Sequence, residues 1–126
     1  TLEEAIVAAQ ELNKQGVMTT IDVLGEFIEN LDEAEANKQE YLKVIEAAEA
    51  AKIDGNYSLK PTSFGLLIDK EVAYKHIREI VAKAASYNNF VRVDMEDSPC
   101  TDMEIDMFRK LKEEFPKNVD RFIDMQ

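Results

Sequence analysis

The 126 residues make one domain or part of one, a length that can bury a core but is near the lower end for a self-contained catalytic α/β fold. With 15 Lys and Arg against 26 Asp and Glu, the net charge of -11 at pH 7 argues against a nucleic-acid backbone or an anionic bilayer as the general partner. Cys100 stands alone, so no intrachain disulfide forms and a reducing interior is the default; no run matches a membrane span or a signal peptide.

The chain lacks an initiating Met and opens mid-helix, so its first residue is expected to be a processing boundary, and Gln126 another. Leu2, Ala5, Ile6, Ala9 and Leu12 recur at helical spacing, and Gly16 closes that helix. The β-branched run "VMTTIDV" (17–23) predicts the first strand. Asp32 with Glu35 three positions later reads as a variant capping box for the second helix, whose stripe is Tyr41, Leu42, Ile45 and Ala48 and whose end Gly55 marks. "YSLK" is the second strand. A third helix starts after Asp69, buries Val72, Ala73, Ile77, Ile80, Val81 and Ala84, and leaves through "ASYNN". "FVRVDM" is the third strand. Thr101 and Glu104 form a second capping box ahead of Ile105, Phe108, Leu111 and Phe115, Pro116 ends that helix, and "NVDRFIDMQ" offers a fourth strand.

Strands joined by single long helices pair with their sequence neighbours in parallel. The strands alternate instead of being apolar throughout, which argues against a doubly wound sheet covered on both faces. Val17, Thr19, Ile21 and Val23 oppose Met18, Thr20 and Asp22; Tyr57 and Leu59 oppose Ser58 and Lys60; Val91, Val93 and Met95 oppose Arg92, Asp94 and Glu96. One helix-covered apolar face and one face charged toward the C-terminal strand ends predict α/β architecture with parallel βα repeats. The expected fold is a partial (β/α)8 barrel of three βα units, a leading helix and a fourth strand. Residues 1–126 are read as a single incomplete barrel segment.

Asp22, Lys60 and Asp94 are then expected at equivalent positions near three successive strand ends, with converging side chains. A lysine between carboxylates stays protonated and suits a small anionic group better than it suits base chemistry. Pro61 drives the residue before it into extended geometry and ends the ladder. A structural ion-pair network, or a solvated face of an incomplete sheet, explains the same cluster equally well.

"TTIDVLGE", "SLKPTSFGL" and "VRVDMEDSPCTD", in this order and spacing, resemble the first three strand ends of proline dehydrogenase, over residues 1 to 119. The resemblance implies a flavoenzyme, an oxidoreductase of proline catabolism that uses FAD to oxidise L-proline to 1-pyrroline-5-carboxylate. It implies that Lys60 is an active-site lysine near the flavin that holds the proline carboxylate, and that Asp94 arranges the pocket around flavin and substrate. Glu26 becomes a gate that pairs with an arginine of the barrel's last helix, while Asp22 and Glu96 stand beside these motifs with less claim to contact. The arginines that hold flavin and substrate are expected downstream of Gln126, so the 126-residue chain alone is expected to be inactive and not to retain FAD. The intact enzyme is expected to be cytoplasmic or peripheral to the inner membrane, where it would meet a membrane electron acceptor.

In the tail, Asp120, Arg121 and Asp124 stand where the family has a more apolar strand. The alternative reading is a non-catalytic, structural or engineered partial barrel that binds no flavin. On either reading the open sheet edges and inner face predict a homo-oligomer.

Other residues carry blander expectations. His76 has no second ligand at metal spacing and reads as a partly buried structural histidine. Cys100 lacks a partner thiol or histidine. Asp94, Glu96, Asp97 and Asp102 match no calcium loop, "ENLDEAEANKQE" is a solvated helix start, and Gly65 alone is no phosphate cradle.

Overall fold

The computed structural model describes residues 2–22, 28–95 and 101–123. Its elements alternate as α1 (Leu2–Lys14), β1 (Thr19–Asp22), α2 (Leu31–Ala50), β2 (Gly55–Leu59), α3 (Lys70–Ser86), β3 (Val91–Met95), α4 (Thr101–Glu114) and β4 (Val119–Ile123). A 3-10 turn over Pro61–Phe64 follows β2.

The strands form one parallel sheet in the order β1-β2-β3-β4. Helices pack on the face carrying Tyr57, Leu59, Val91, Val93 and Val119, all at most 2% exposed. They supply Tyr41, Ile45, Ala73, Ile77, Ile80, Val81, Ala84 and Leu111 to the core. The opposite face carries Thr20, Asp22, Asn56, Ser58, Arg92 and Asp94. The predicted alternation and the partial (β/α)8 barrel are therefore observed, with the fourth strand formed.

Local chemistry corrects several boundaries. The α2 cap is Asn30, whose side-chain oxygen accepts the Glu33 N–H at 3.0 Å, while the Glu33 carboxylate accepts the Glu29 N–H at 2.7 Å. "ENLDEAE" holds two overlapping signatures, and the earlier one starts the helix; Glu35 is drawn instead to Lys38, 3.0 Å away. Helix α3 begins as expected on Asp69, which accepts from Glu71 and Val72.

Three helices end in the same way. The N–H groups of Gly16, Lys52 and Asn88, at φ 82, 56 and 60, bond the carbonyls of Asn13, Glu49 and Ala85. Those of Val17, Ile53 and Asn89 reach back to Leu12, Ala48 and Ala84, completing a Schellman motif each time. Thus Lys52 closes α2, not Gly55. Gly55 instead opens β2, where a Cβ would lie 2.3 Å from the Thr19 carbonyl oxygen, so its place is set by the close approach of β1.

Two stripes depart from expectation. In α1 Ala9 is buried and Ile6 packs against the core as expected, while Ala5 and Leu12 are exposed. In α4 the buried row is Glu104, Met107 and Leu111, with Ile105, Phe108 and Phe115 only half-buried. Strand β1 also begins later than the 17–23 run, at Thr19.

At the N-terminal end of the sheet, asparagines tie neighbouring loops together. Asn13 exchanges two hydrogen bonds with the Asp54 backbone, at 3.0 and 2.7 Å. The Asn89 amide donates to the Gly55 carbonyl at 2.8 Å, and the Asn118 amide to the Asn89 carbonyl at 2.9 Å. Each bond satisfies a backbone group at or just before a strand start.

Candidate functional site

Strand β2 ends at Leu59, and Lys60 caps the 3-10 turn in extended geometry, at φ -112 and ψ 122, as its following proline demands. Leu59 pairs with Val93, so continuing the register by one residue sets Lys60 level with Asp94, on the polar face of the sheet. Lys60 is exposed and Asp94 half-buried. Asp22 does not share their level. It pairs with Ser58, which pairs with Arg92, so Asp22 sits two residues lower in the ladder. Its carboxylate accepts a hydrogen bond from the Tyr41 hydroxyl at 3.1 Å, a structural tie to α2.

Of the expected three-way cluster, the register sets Lys60 and Asp94 at one level and leaves Asp22 below them. Glu26, Glu96, Asp97 and Cys100 lie outside the described residues. Below Lys60 the same face carries buried Ser58 and Asn56, with Asn56 accepting from the Thr20 hydroxyl at 3.1 Å. This arrangement offers one cation and one carboxylate above a floor of neutral donors and acceptors, suited to orienting a small polar molecule by its anionic end.

Sequence reasoning missed the residues that hold this strand end from behind. Asn37 donates to the Ser63 carbonyl at 2.8 Å, and the Tyr41 hydroxyl lies 2.9 Å from the Ser58 carbonyl. The two are one helical turn apart, but Asn37 reads as an ordinary polar helix position.

Two features lie away from the strand ends. A half-open groove of about 280 Å³ between α3 and α4 is lined by Leu66, Tyr74, Met103 and Met107 together with Lys70 and Lys110. Neither Lys60 nor Asp94 lines it. Between α2 and α3, Lys38, 7% exposed, bridges Glu35 at 3.0 Å and Glu79 at 2.9 Å, and His76 Nδ1 stands 3.5 Å from the Glu35 carboxylate. Burial works against the Lys38 charge, and Glu79 and Glu35 outweigh it, raising the group above its ordinary value. Burial first and Lys38 second push His76 below its ordinary range, against the pull of Glu35 and Glu79.

The unfolded imidazole therefore takes up a proton at a higher pH than the folded one. Its contribution to stability is complete above about pH 6.5 and is lost as pH falls toward the folded value. The thermal midpoint should fall across that window, and should fall less in His76→Gln. Equal slopes in both proteins, followed by circular dichroism, would contradict the assignment.

Among the described residues no group of three or more His, Cys, Asp or Glu could hold a metal ion, and no helix is long and apolar enough to cross a membrane.

Comparison with known proteins gives consistent results. A family profile described as proline dehydrogenase matches residues 5–126. Proline dehydrogenase 1 of Bacillus subtilis subsp. natto is 37% identical over 117 residues, 93% of this chain and 39% of that protein. Proline dehydrogenase of Deinococcus radiodurans is 36% identical over 118 residues, 91% of this chain and 38% of that protein. The chain therefore spans about two-fifths of the length of these relatives. Among solved structures, proline utilization A from Bdellovibrio bacteriovorus, inactivated by N-propargylglycine, shares the fold with a TM-score of 0.80 at 19% identity, over 98% of this chain and 15% of that one.

Proposed function

The chain belongs to the proline dehydrogenase family, and on that premise we propose that it forms the first part of a flavoenzyme barrel that oxidises L-proline to 1-pyrroline-5-carboxylate. The observation that carries this reading is the register that sets Lys60 level with Asp94 on the polar face of the sheet. The donor set fits one edge of a flavin and a small carboxylate: an exposed ammonium, a half-buried aspartate, and the buried polar side chains of Ser58 and Asn56.

When bound, FAD supplies the hydride acceptor for the proline ring. Lys60 holds the substrate carboxylate as a fixed cation, and its long stem lets the ammonium reach the substrate from a strand end that itself stays rigid. Asp94, one strand over at the same level, limits the directions the ammonium and the substrate amine can take. Glu26 is proposed as the gate, pairing with an arginine of the last barrel helix. The enzyme is proposed to work in the cytoplasm or at the inner membrane surface, passing electrons to a membrane acceptor.

Adding L-proline anaerobically to the flavin-loaded holoenzyme should bleach the flavin's visible absorbance. Flavin that stays oxidised under excess L-proline would refute the reading. The competing reading, a self-associating segment without flavin, draws on the sheet order, which leaves β1 and β4 each with one neighbour among the described strands. An intact protein that takes up no flavin when mixed with excess FAD would favour it.

A further inference from the structure

We propose that Tyr41 and Asn37 of α2 are positioning residues for Lys60, fixing the strand-to-turn junction from which its ammonium extends. The proposal rests on the reading of Lys60 as the carboxylate-binding cation. Tyr41 is 2% exposed, and its helix packs in the layer that covers the apolar face of the sheet, so it acts on Lys60 through the backbone and not on substrate.

The contacts bracket Lys60 on both sides. The Tyr41 hydroxyl lies 2.9 Å from the carbonyl of Ser58, two residues before it, and 3.1 Å from the carboxylate of Asp22, level with Ser58 on β1. The Tyr41 ring meets Phe64, four residues after Lys60, edge-on at 5.4 Å between centroids. Asn37 donates to the carbonyl of Ser63 at 2.8 Å. Inside the bracket, the Ser63 N–H bonds the Lys60 carbonyl at 3.0 Å, and Gly65 takes φ 91 to turn its N–H onto Thr62.

Pro61, Ser63 and Phe64 are all buried, whereas Lys60 is exposed. The backbone on either side of Lys60 is thus held by α2 while the lysine side chain projects free of it. That division suits a long flexible side chain, because an ångström of drift in its base is repeated at its tip. Tyr41→Phe keeps the ring and its contact with Phe64 and removes only the hydroxyl tie.

The test combines kinetics with backbone exchange. In the holoenzyme, Tyr41→Phe should raise KM for L-proline about fivefold and change kcat less than about twofold, the signature of a weakened ground-state contact. On a Lys60→Met background the same change should add nothing, since the group being positioned is gone. In the 126-residue chain, Tyr41→Phe and Asn37→Ala should each speed hydrogen exchange at the Ser63 and Gly65 amides about tenfold and leave Leu111 in α4 unchanged.

A KM increase of equal size on both backgrounds would mean a general structural role and overturn the proposal, as would unaltered exchange at Ser63. A defective Lys60→Met alongside a silent Tyr41→Phe would overturn the positioning role alone. Lys60→Met with normal KM would overturn the lysine reading and the proposal together.

Discussion

Lys60→Met in the flavin-loaded holoenzyme should lower kcat/KM for L-proline by about ten- to a hundredfold, the worth of a charge-assisted hydrogen bond of about 1.5–3 kcal/mol. The methionine keeps most of the length and apolar volume of the lysine stem and deletes only the ammonium. Because Lys60 is exposed and sits just past the last ladder pair of β2, its loss should change unfolding stability by less than about 0.5 kcal/mol. Steady-state kinetics at limiting proline, with a thermal melt as control, would decide. Unchanged kcat/KM would remove Lys60 from the site; a large fall in the melting midpoint would mean that the residue serves the fold.

Phe64→Ala should destabilise the purified chain by about 3–5 kcal/mol, a large part of the roughly 5–15 kcal/mol that holds a typical domain together. Phe64 is 0% exposed and stands between the strand-end turn and α2, edge-on to Tyr41. Its removal leaves a void bounded by a 3-10 turn and a helix, neither of which can move inward without losing the Asn37 to Ser63 bond. Urea denaturation would measure the loss as a lower midpoint. A change below about 1 kcal/mol would mean that the turn collapses onto the void and that its geometry is softer than its hydrogen bonds imply.

Much of the fold was legible because the strand pattern is simple. Alternation in "NYSL" and "VRVD" set which face would meet the helices, and the pairs Tyr57 to Val91 and Leu59 to Val93 match on that face. Boundaries were harder where two residues competed for one job. Asn30 and Asp32 both precede a glutamate by three; Asn30 takes the cap by accepting from Glu33, while Glu35 bridges Lys38 of its own helix and faces His76 of α3. Lys52 takes the left-handed position because α2 must stop before β2 meets β1, a requirement that Gly55 reveals only once Thr19 is beside it.

The site was legible to the same depth. Lys60 and Asp94 could be named from periodicity because each lies within one residue of its strand's end and on the same parity. Their common level, and the lower position of Asp22, depend on a register that spacing does not fix. The fastening by Asn37 and Tyr41 depends on which way α2 faces, a tertiary fact. The α4 stripe failed for a related reason: Glu104 lies in the buried row, and periodicity counts a glutamate as a surface residue.

The order of strands in the sheet repeats their order in the chain, each beside the one made just before it. Among the described strands, a ribosome extruding this chain leaves no pairing to wait for a distant segment: β2 can dock on β1 as soon as β2 itself has cleared the exit, and β3 and β4 follow in turn. Loop closure is met in steps of similar length, about one helix and its connections each, which keeps contact order low for a parallel sheet. The growing sheet keeps two open edges, that of β1 and that of the newest strand, and during synthesis the newer one is where the next strand arrives.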